Sequence, residues 1–316
     1  MNRLNKFKSY FQFLGIVIFC YLILTLDFKS MLKHLREFNF IWLAIYAISY
    51  LIMILLKTYR WKVLLKTQGI NYDFKKVLNI NVSSNFWGAI TPGRIGELIK
   101  LDYLQRDNYS IHIGAANVLI DRSIDVVLIV IFSFVSLVYF ADAFFDEIKI
   151  VLLLLLTLVV IVGLLFLLRG HIKISIKKII EKMLPEEQFH SVEHHWNEFL
   201  RELQKFNLTV YCKMLLLSVG IYLLIFLMTY TVAEGLGLQV PFIYLSLSTA
   251  LSTLVALLPI SIGGIGTREA LFIFLLGNIS ISNEAALLIA FFDGTVLGIF
   301  FAALMLLMNN FFRSVK

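Results

Sequence analysis

The chain has 316 residues, 59% of them hydrophobic and 16% charged, with a formal net charge of +7 and a mean hydropathy of +0.85. A soluble domain is nearer half apolar and a quarter charged, so this composition excludes a soluble globular fold and specifies an integral membrane protein. The positive charge sits in loops between apolar runs, which argues against nucleic acid as a partner; the two cysteines, Cys20 and Cys212, form no CxxC step and no disulfide framework.

The first apolar run is Tyr10 to Leu26. The residues at its end, Leu24-Thr25-Leu26-Asp27, are not a small-residue cleavage site, so the run reads as an uncleaved span. From Asp27 to Phe38, the apolar Phe28, Met31, Leu32, Leu35 and Phe38 fall at helical spacing, with Lys29, Lys33 and Arg36 between them. That pattern predicts a short helix in the headgroup plane. A second span, Phe40 to Leu56, ends in Lys57-Thr58-Tyr59-Arg60-Trp61-Lys62, which reads as a basic and aromatic interfacial anchor.

Val77 to Gln105 is an interrupted element. Asn79, Asn81, Ser83, Ser84 and Asn85 crowd its first arm, which suits a helix buried in protein or lining water. The stretch ITPGRIGELIKL follows, from Ile90 to Leu101, and Pro92-Gly93 breaks the helix before Arg94, Glu97 and Lys100. Asp121, Arg122 and Asp125 then precede a third span, Val126 to Phe140, with the two carboxylates on one helix face. A fourth span is Ile148 to Leu168.

The loop from Arg169 to Asn207 carries two amphipathic patterns. Ile172, Ile176, Ile179, Ile180 and Met183 share one face beside a lysine-rich one, which suits an anionic leaflet. Phe189, Val192, Trp196, Phe199, Leu203 and Phe206 recur at steps of three and four beside Glu186, Glu187, Glu193, Glu198 and Glu202. That is an acidic helix with one packed face. The His190–His194 step beside His195 lies on this helix without an HExxH motif, so no metal site is read there, and no cofactor motif occurs.

Tyr211 to Val232 is a fifth span. Phe242 to Leu276 is the second interrupted element, broken by PISIGGIGTRE from Pro259 to Glu269. Ala285 to Met308 is a sixth span, interrupted by Asp293-Gly294.

These elements predict an all-α polytopic membrane protein with about six full spans and two re-entrant broken helices. It forms one transmembrane domain over residues 1–316. The first half, about 1–140, holds the element 77–105; the second, about 148–316, holds 242–276. A cytoplasmic amphipathic loop occupies 169–210. Six Lys or Arg lie between Lys57 and Lys76, eight lie between Arg169 and Lys213, and none lie in Thr231–Phe242 or Asn278–Glu284. With both termini cytoplasmic, the basic loops fall inside. The two interrupted elements then enter from opposite faces, the pattern of an inverted repeat with its site near the midplane.

Charges and helix breakers at membrane depth are expensive and mark function by default. Arg94, Lys100 and Arg268, with backbone N–H groups of the glycine turns, are the expected ligands of an anionic headgroup. Glu97 and Glu269 would hold the arginines when the site is empty. The plain alternative for both motifs is ordinary helix capping. Arg122 and Asp125 belong to the site or, alternatively, form an interfacial ion pair at the start of the third span. Asp293, nine residues into an apolar run, should face a partner or a cavity. It would pair with Arg268 or Arg94, carry a proton, or make a structural hydrogen bond to a neighbouring helix.

PGRIGELIKL, the Asp-Arg-x-x-Asp entry to a span, Arg60-Trp61, and Pro-x-x-x-Gly-Gly-x-Gly-x-Arg-Glu together resemble the lysylphosphatidylglycerol synthase transmembrane-region family. The resemblance covers nearly the whole chain. It implies two inverted re-entrant elements around a lipid-accessible cavity and movement of a phospholipid or polyprenyl-linked headgroup between leaflets. In bifunctional members the module precedes a soluble aminoacyl-transferase domain that this sequence does not contain, so lysyl transfer is not implied. Asp293 is not part of the family motif. The expectation is a lipid translocase of the cell inner membrane, not an enzyme. It would act on membrane lipids with an anionic headgroup, with a homo-oligomer or a glycosyl- or aminoacyl-transferase as candidate partner. A membrane-embedded transferase, with Glu97 as base, and a small-anion transporter are the alternatives.

Overall fold

The computed structural model describes residues 15–141, 186–257, 261 and 263–314. These residues are helical, with no strand among them, as the sequence predicts. The expected fourth span, the lysine-rich helix around Ile172 to Met183, and Pro259 lie outside the described residues.

Helix α1 (Gly15–Thr25) turns by 89° into α2 (Phe28–Arg36). The Asp27 side chain caps α2 by accepting from the Lys29 amide. Then come α3 (Ile41–Thr67), α4 (Phe74–Ile90), a 3₁₀ turn (Pro92–Leu98), α5 (Ile99–Arg106) and α6 (Ile111–Tyr139). After the undescribed segment come α7 (Glu186–Gln204), α8 (Leu208–Gly235), α9 (Phe242–Ala256) and α10 (Thr267–Gly277). The chain closes with α11 (Asn283–Phe291), a π turn (Phe292–Leu297) and α12 (Gly298–Ser314). Among the described residues three helices are long and apolar enough to cross a membrane: Ile41–Thr67, Leu208–Gly235 and Asn283–Met308.

Helices α3 and α8 pack side by side and antiparallel, and two apolar cores form along them. One core takes Tyr46, Tyr50 and Met53 from α3 and Met228 and Val232 from α8. The other takes Trp61, Leu64 and Leu65 from α3 and Met214 from α8. Each core therefore marks one end of the helix pair.

The two interrupted elements are helical hairpins. In the first, the 3₁₀ turn folds back on the end of α4, where Ser84 donates to the Glu97 carbonyl (3.3 Å). At 17 residues, α4 is about 25 Å long and short of a 30 Å bilayer core. In the second hairpin α9 and α10 run antiparallel, since the Tyr244 hydroxyl near the start of α9 donates to the Leu275 carbonyl near the end of α10 (2.5 Å). The foot of the first hairpin, at Val77 and Leu104, lies in the Trp61 core. The foot of the second, at Tyr244 and Leu275, lies in the Tyr46 core. The hairpins thus rise from opposite ends of α3 and α8 and meet at their tips. A Cβ at Gly93 would lie 3.8 Å from the Leu257 carbonyl oxygen, and one at Gly263 would lie 3.1 Å from that of Ala89.

Two sequence boundaries change. The second span does not stop at Leu56: α3 continues to Thr67, and Arg60 and Trp61 are buried inside the bundle. They do not act as an exposed anchor, because both are buried against partners on α6, Asp121 and Asp125 for Arg60 and Asn117 for Trp61. The third span does not begin after Asp125, since α6 is one 29-residue helix with Asp121, Arg122 and Asp125 in its middle. The interruption expected at Asp293-Gly294 is present within the span Asn283–Met308. It falls in the π turn between α11 and α12. The acidic helix is present as α7, but Glu202 is buried and accepts from Gln68 (3.3 Å), so its acidic face is not all solvated.

Candidate functional site

The site is built by the two hairpin turns. In the first, Gly93 (φ 59°) and Arg94 (φ 57°) both adopt left-handed backbone. Glycine adopts it freely, while an arginine is strained there and persists only where its surroundings demand it. Thr91 locks the reversal, its hydroxyl donating to the Trp87 carbonyl (2.7 Å) and accepting from the Gly96 amide (2.8 Å). In the second turn Gly263, Gly264 and Gly266 have φ of 62°, 86° and 84°. Glu269 is fully buried and accepts from the Gly266 amide (2.5 Å). This is helix-capping chemistry. Glu269 therefore holds the turn itself and is not placed as the counter-charge of Arg268.

Between the turns lies a cavity of about 160 Å³. Arg94 and Arg268 both line it, one from each hairpin, together with Lys57, Arg122, Asp125 and Asp293. Asn85 of α4 bridges two other lining groups, donating to the Tyr50 hydroxyl (2.7 Å) and accepting from Lys57 (3.5 Å). Arg122 pairs with Glu97 (3.0 Å) and reaches the Gly93 carbonyl (3.4 Å). Arg94 meets Glu97 only at 3.7 Å, through Nε.

Behind the cavity is a buried charge network. Arg60 is the centre, pairing with Asp121 (2.8 Å) and Asp125 (2.5 Å) and donating to the Ser218 hydroxyl (2.6 Å). Lys100 is buried, pairs with Asp121 (2.9 Å), and sits 5.0 Å over the Trp61 ring. The Trp61 indole donates to Asn117 (2.6 Å), and Asn117 donates to Gln68 (2.8 Å). These charges pair with one another, as buried charges must, although the Arg60 Nε is buried with no hydrogen-bond partner. Arg60, Lys100 and Arg122 balance Asp121, Asp125 and Glu97. What remains facing the cavity is Lys57, Arg94 and Arg268 against Asp293 alone. The cavity therefore carries surplus positive charge and favours an anion.

The sequence placed most of these residues together, but not in these roles. Arg94, Arg122, Asp125, Arg268 and Asp293 line one cavity, and Glu97 stands beside it in a smaller adjoining one. Lys100 lines only the smaller one, committed to Asp121. Arg122 and Asp125 are not partners of each other; each pairs with a residue from another element. Arg60 and Lys57 were missed as site residues. The available signal was Asp121 and Asp125 four apart inside apolar sequence, which requires a buried cation from elsewhere. Among the described residues no group of three or more His, Cys, Asp or Glu is placed to hold a metal.

Comparison with known proteins bears on the same stretch. The profile of the lysylphosphatidylglycerol synthase TM region family matches residues 12–304. The UPF0104 membrane protein PH1989 of Pyrococcus horikoshii is 26% identical over 289 residues, covering 83% of this chain and 86% of that protein. No solved structure matches.

Proposed function

The chain belongs to the lysylphosphatidylglycerol synthase TM region family, and from that premise we propose that it is a lipid translocase for an anionic phospholipid or a polyprenyl-phosphate-linked lipid. It is a multi-pass membrane protein. In this reading the two hairpins are re-entrant halves of an inverted repeat among about six spans, and the headgroup crosses in the cavity where their tips meet. The observation that carries the reading is the convergence of Arg94 and Arg268 on one cavity whose other charges are largely neutralised. A phosphate between two guanidinium groups gains charge-assisted hydrogen bonds from both.

A lipid fits better than a soluble anion because of what flanks Arg94. Its side chain is 39% exposed, and its neighbours Ile95 and Leu98 are 63% and 46% exposed. A headgroup held there would have apolar surface beside it for the acyl chains. The same reading puts the protein in the cell inner membrane with both termini cytoplasmic. It performs no bond chemistry, and it acts beside a lipid-modifying transferase or as a homo-oligomer.

The test uses the full chain in phosphatidylcholine vesicles doped with acyl-labelled phosphatidylglycerol or with a short-chain polyprenyl phosphate. Leaflet exposure of the probe should equilibrate faster with protein than without it, and mass spectrometry should find no new product. Arg94→Ala and Arg268→Ala should each abolish the acceleration. Full activity in both variants, or a chemically altered probe, refutes the proposal.

A further inference from the structure

Asp293 has no part in the headgroup contacts just described, and its surroundings are unusual. It sits in the π turn of the last long apolar helix and lines the cavity. Such turns in otherwise α-helical segments recur at functional sites. Its carboxylate accepts one hydrogen bond, from the Thr229 hydroxyl of α8 (2.7 Å). The π turn also turns its backbone carbonyl toward α3, where the Tyr46 hydroxyl donates to it (3.2 Å).

The next residue, Gly294, has no side chain, and the Arg268 guanidinium fills the space a Cβ would take. Arg268 and Asp293 are therefore neighbours in one cavity. Even so, they share no ion pair within 4.0 Å, and the Arg268 Nε is buried with no hydrogen-bond partner. The titratable and charged groups that face Asp293 are Arg268 from α10 and Tyr46 from α3. The adjoining turns 288–291 and 298–301 carry no titratable side chain.

We propose that Asp293 is a proton site that couples proton movement to headgroup movement, with Arg268 as the element shared between them. The inference rests on the translocase reading. With the cavity empty, the guanidinium beside Gly294 is the positive charge placed next to the carboxylate, while Lys57 and Arg94 line the same cavity. A headgroup phosphate that enters draws Arg268 to itself. The carboxylate is then left without its adjacent cation and with one hydroxyl donor, and a buried carboxylate that loses its counter-charge is costly to keep ionised. It takes up one proton from the aqueous side that the cavity faces, becoming the neutral acid. When the headgroup leaves on the other side, Arg268 returns and the proton is released there. One proton and one singly negative headgroup cross together, so no net charge moves. A pH difference of about one unit can then sustain at most about a tenfold ratio of lipid between leaflets, and a membrane potential changes nothing.

Two measurements test this on the full chain in phosphatidylcholine vesicles. Infrared difference spectra across a pH titration should show a protonated-carboxyl band that is missing in Asp293→Asn. The band's midpoint should move to higher pH in Arg268→Gln, because the counter-charge is gone whatever lipid is present. Separately, an imposed pH gradient should accumulate acyl-labelled phosphatidylglycerol in one leaflet in the wild type, and the accumulation should be absent in Asp293→Asn. The inference is overturned if no band depends on Asp293, if Arg268→Gln leaves its midpoint in place, or if wild-type movement ignores the gradient. A wild-type protein that moves neither labelled phosphatidylglycerol nor a short-chain polyprenyl phosphate overturns the translocase reading, and the coupling with it, whatever the band does.

Discussion

Arg60 shows how one residue changes meaning between sequence and structure. Read along the chain, it sits in a cluster of lysines and aromatics after an apolar run, and such clusters usually mark an interface. In the fold it is buried and faces two carboxylates 61 and 65 residues away. Periodicity cannot show this, because the partners lie on another helix. What was legible was the demand side: Asp121 and Asp125 share a face inside apolar sequence. The energetic consequence is testable. Arg60→Met removes the shared cation and leaves both acids buried, a loss of about 3–5 kcal/mol. Thermal unfolding in detergent should show it as a large fall in midpoint, far beyond that of Arg94→Ala, whose side chain is partly exposed. A loss below about 1 kcal/mol would mean the network is solvated rather than buried.

The hairpins were the most legible elements, since each announces itself by proline, glycines and an Arg-Glu pair. Their inner geometry was not legible. Nothing in the sequence separates Glu97, which pairs with Arg122, from Glu269, which caps its own turn. That choice depends on which chain packs against the turn. Arg94 makes a prediction of opposite signs possible. Its left-handed backbone strains any residue with a Cβ by about 1 kcal/mol. Arg94→Gly should therefore unfold no lower than Arg94→Ala, and by up to about that margin higher, while both lose lipid movement. A glycine variant clearly less stable than the alanine variant would show that the turn is not strained.

The foot of the same hairpin carries a pH dependence. Asp107, in the turn between α5 and α6, accepts from Lys76 (2.9 Å) and from the Tyr72 hydroxyl. Hydrogen bonds from Lys76 first, then Tyr72, hold its carboxyl below the usual carboxylate range. The folded value lies below the unfolded one of about 3.9, so the clip is fully present above that pH and lost as pH falls through the folded value. Amide exchange at the start of α4 and the end of α5 should be flat with pH-corrected rate above about pH 5 and should rise in acid. Asp107→Asn should remove the acid rise. An unchanged rise would assign it to another group.

At the scale of the molecule, α3 and α8 act as a frame, each passing from one apolar core to the other, and the hairpins insert from opposite ends until their tips touch. The sequence suggested opposed entry only through the distribution of lysine and arginine, since the two motifs align over few residues. The tip contact is a product of tertiary packing and could not be read from either motif alone. It makes sense of Gly263, where a Cβ would crowd the Ala89 carbonyl at 3.1 Å, while Gly93 answers to its left-handed backbone rather than to crowding. If the frame crosses a bilayer, the feet must face different compartments. With Cys20 and Cys212 replaced by serine, Asp107→Cys and Asn278→Cys should react with an impermeant thiol reagent from opposite sides of sealed, oriented vesicles. Ala89→Cys with Leu257→Cys should accept a short cleavable cross-linker. Bridging them should stop lipid movement, and cleaving the bridge should restore it. Labelling of both feet from one side would rule out opposed entry. Movement that continues through a bridged pair would mean the tips need not part for a headgroup to pass, and the path would then run around the tips rather than between them.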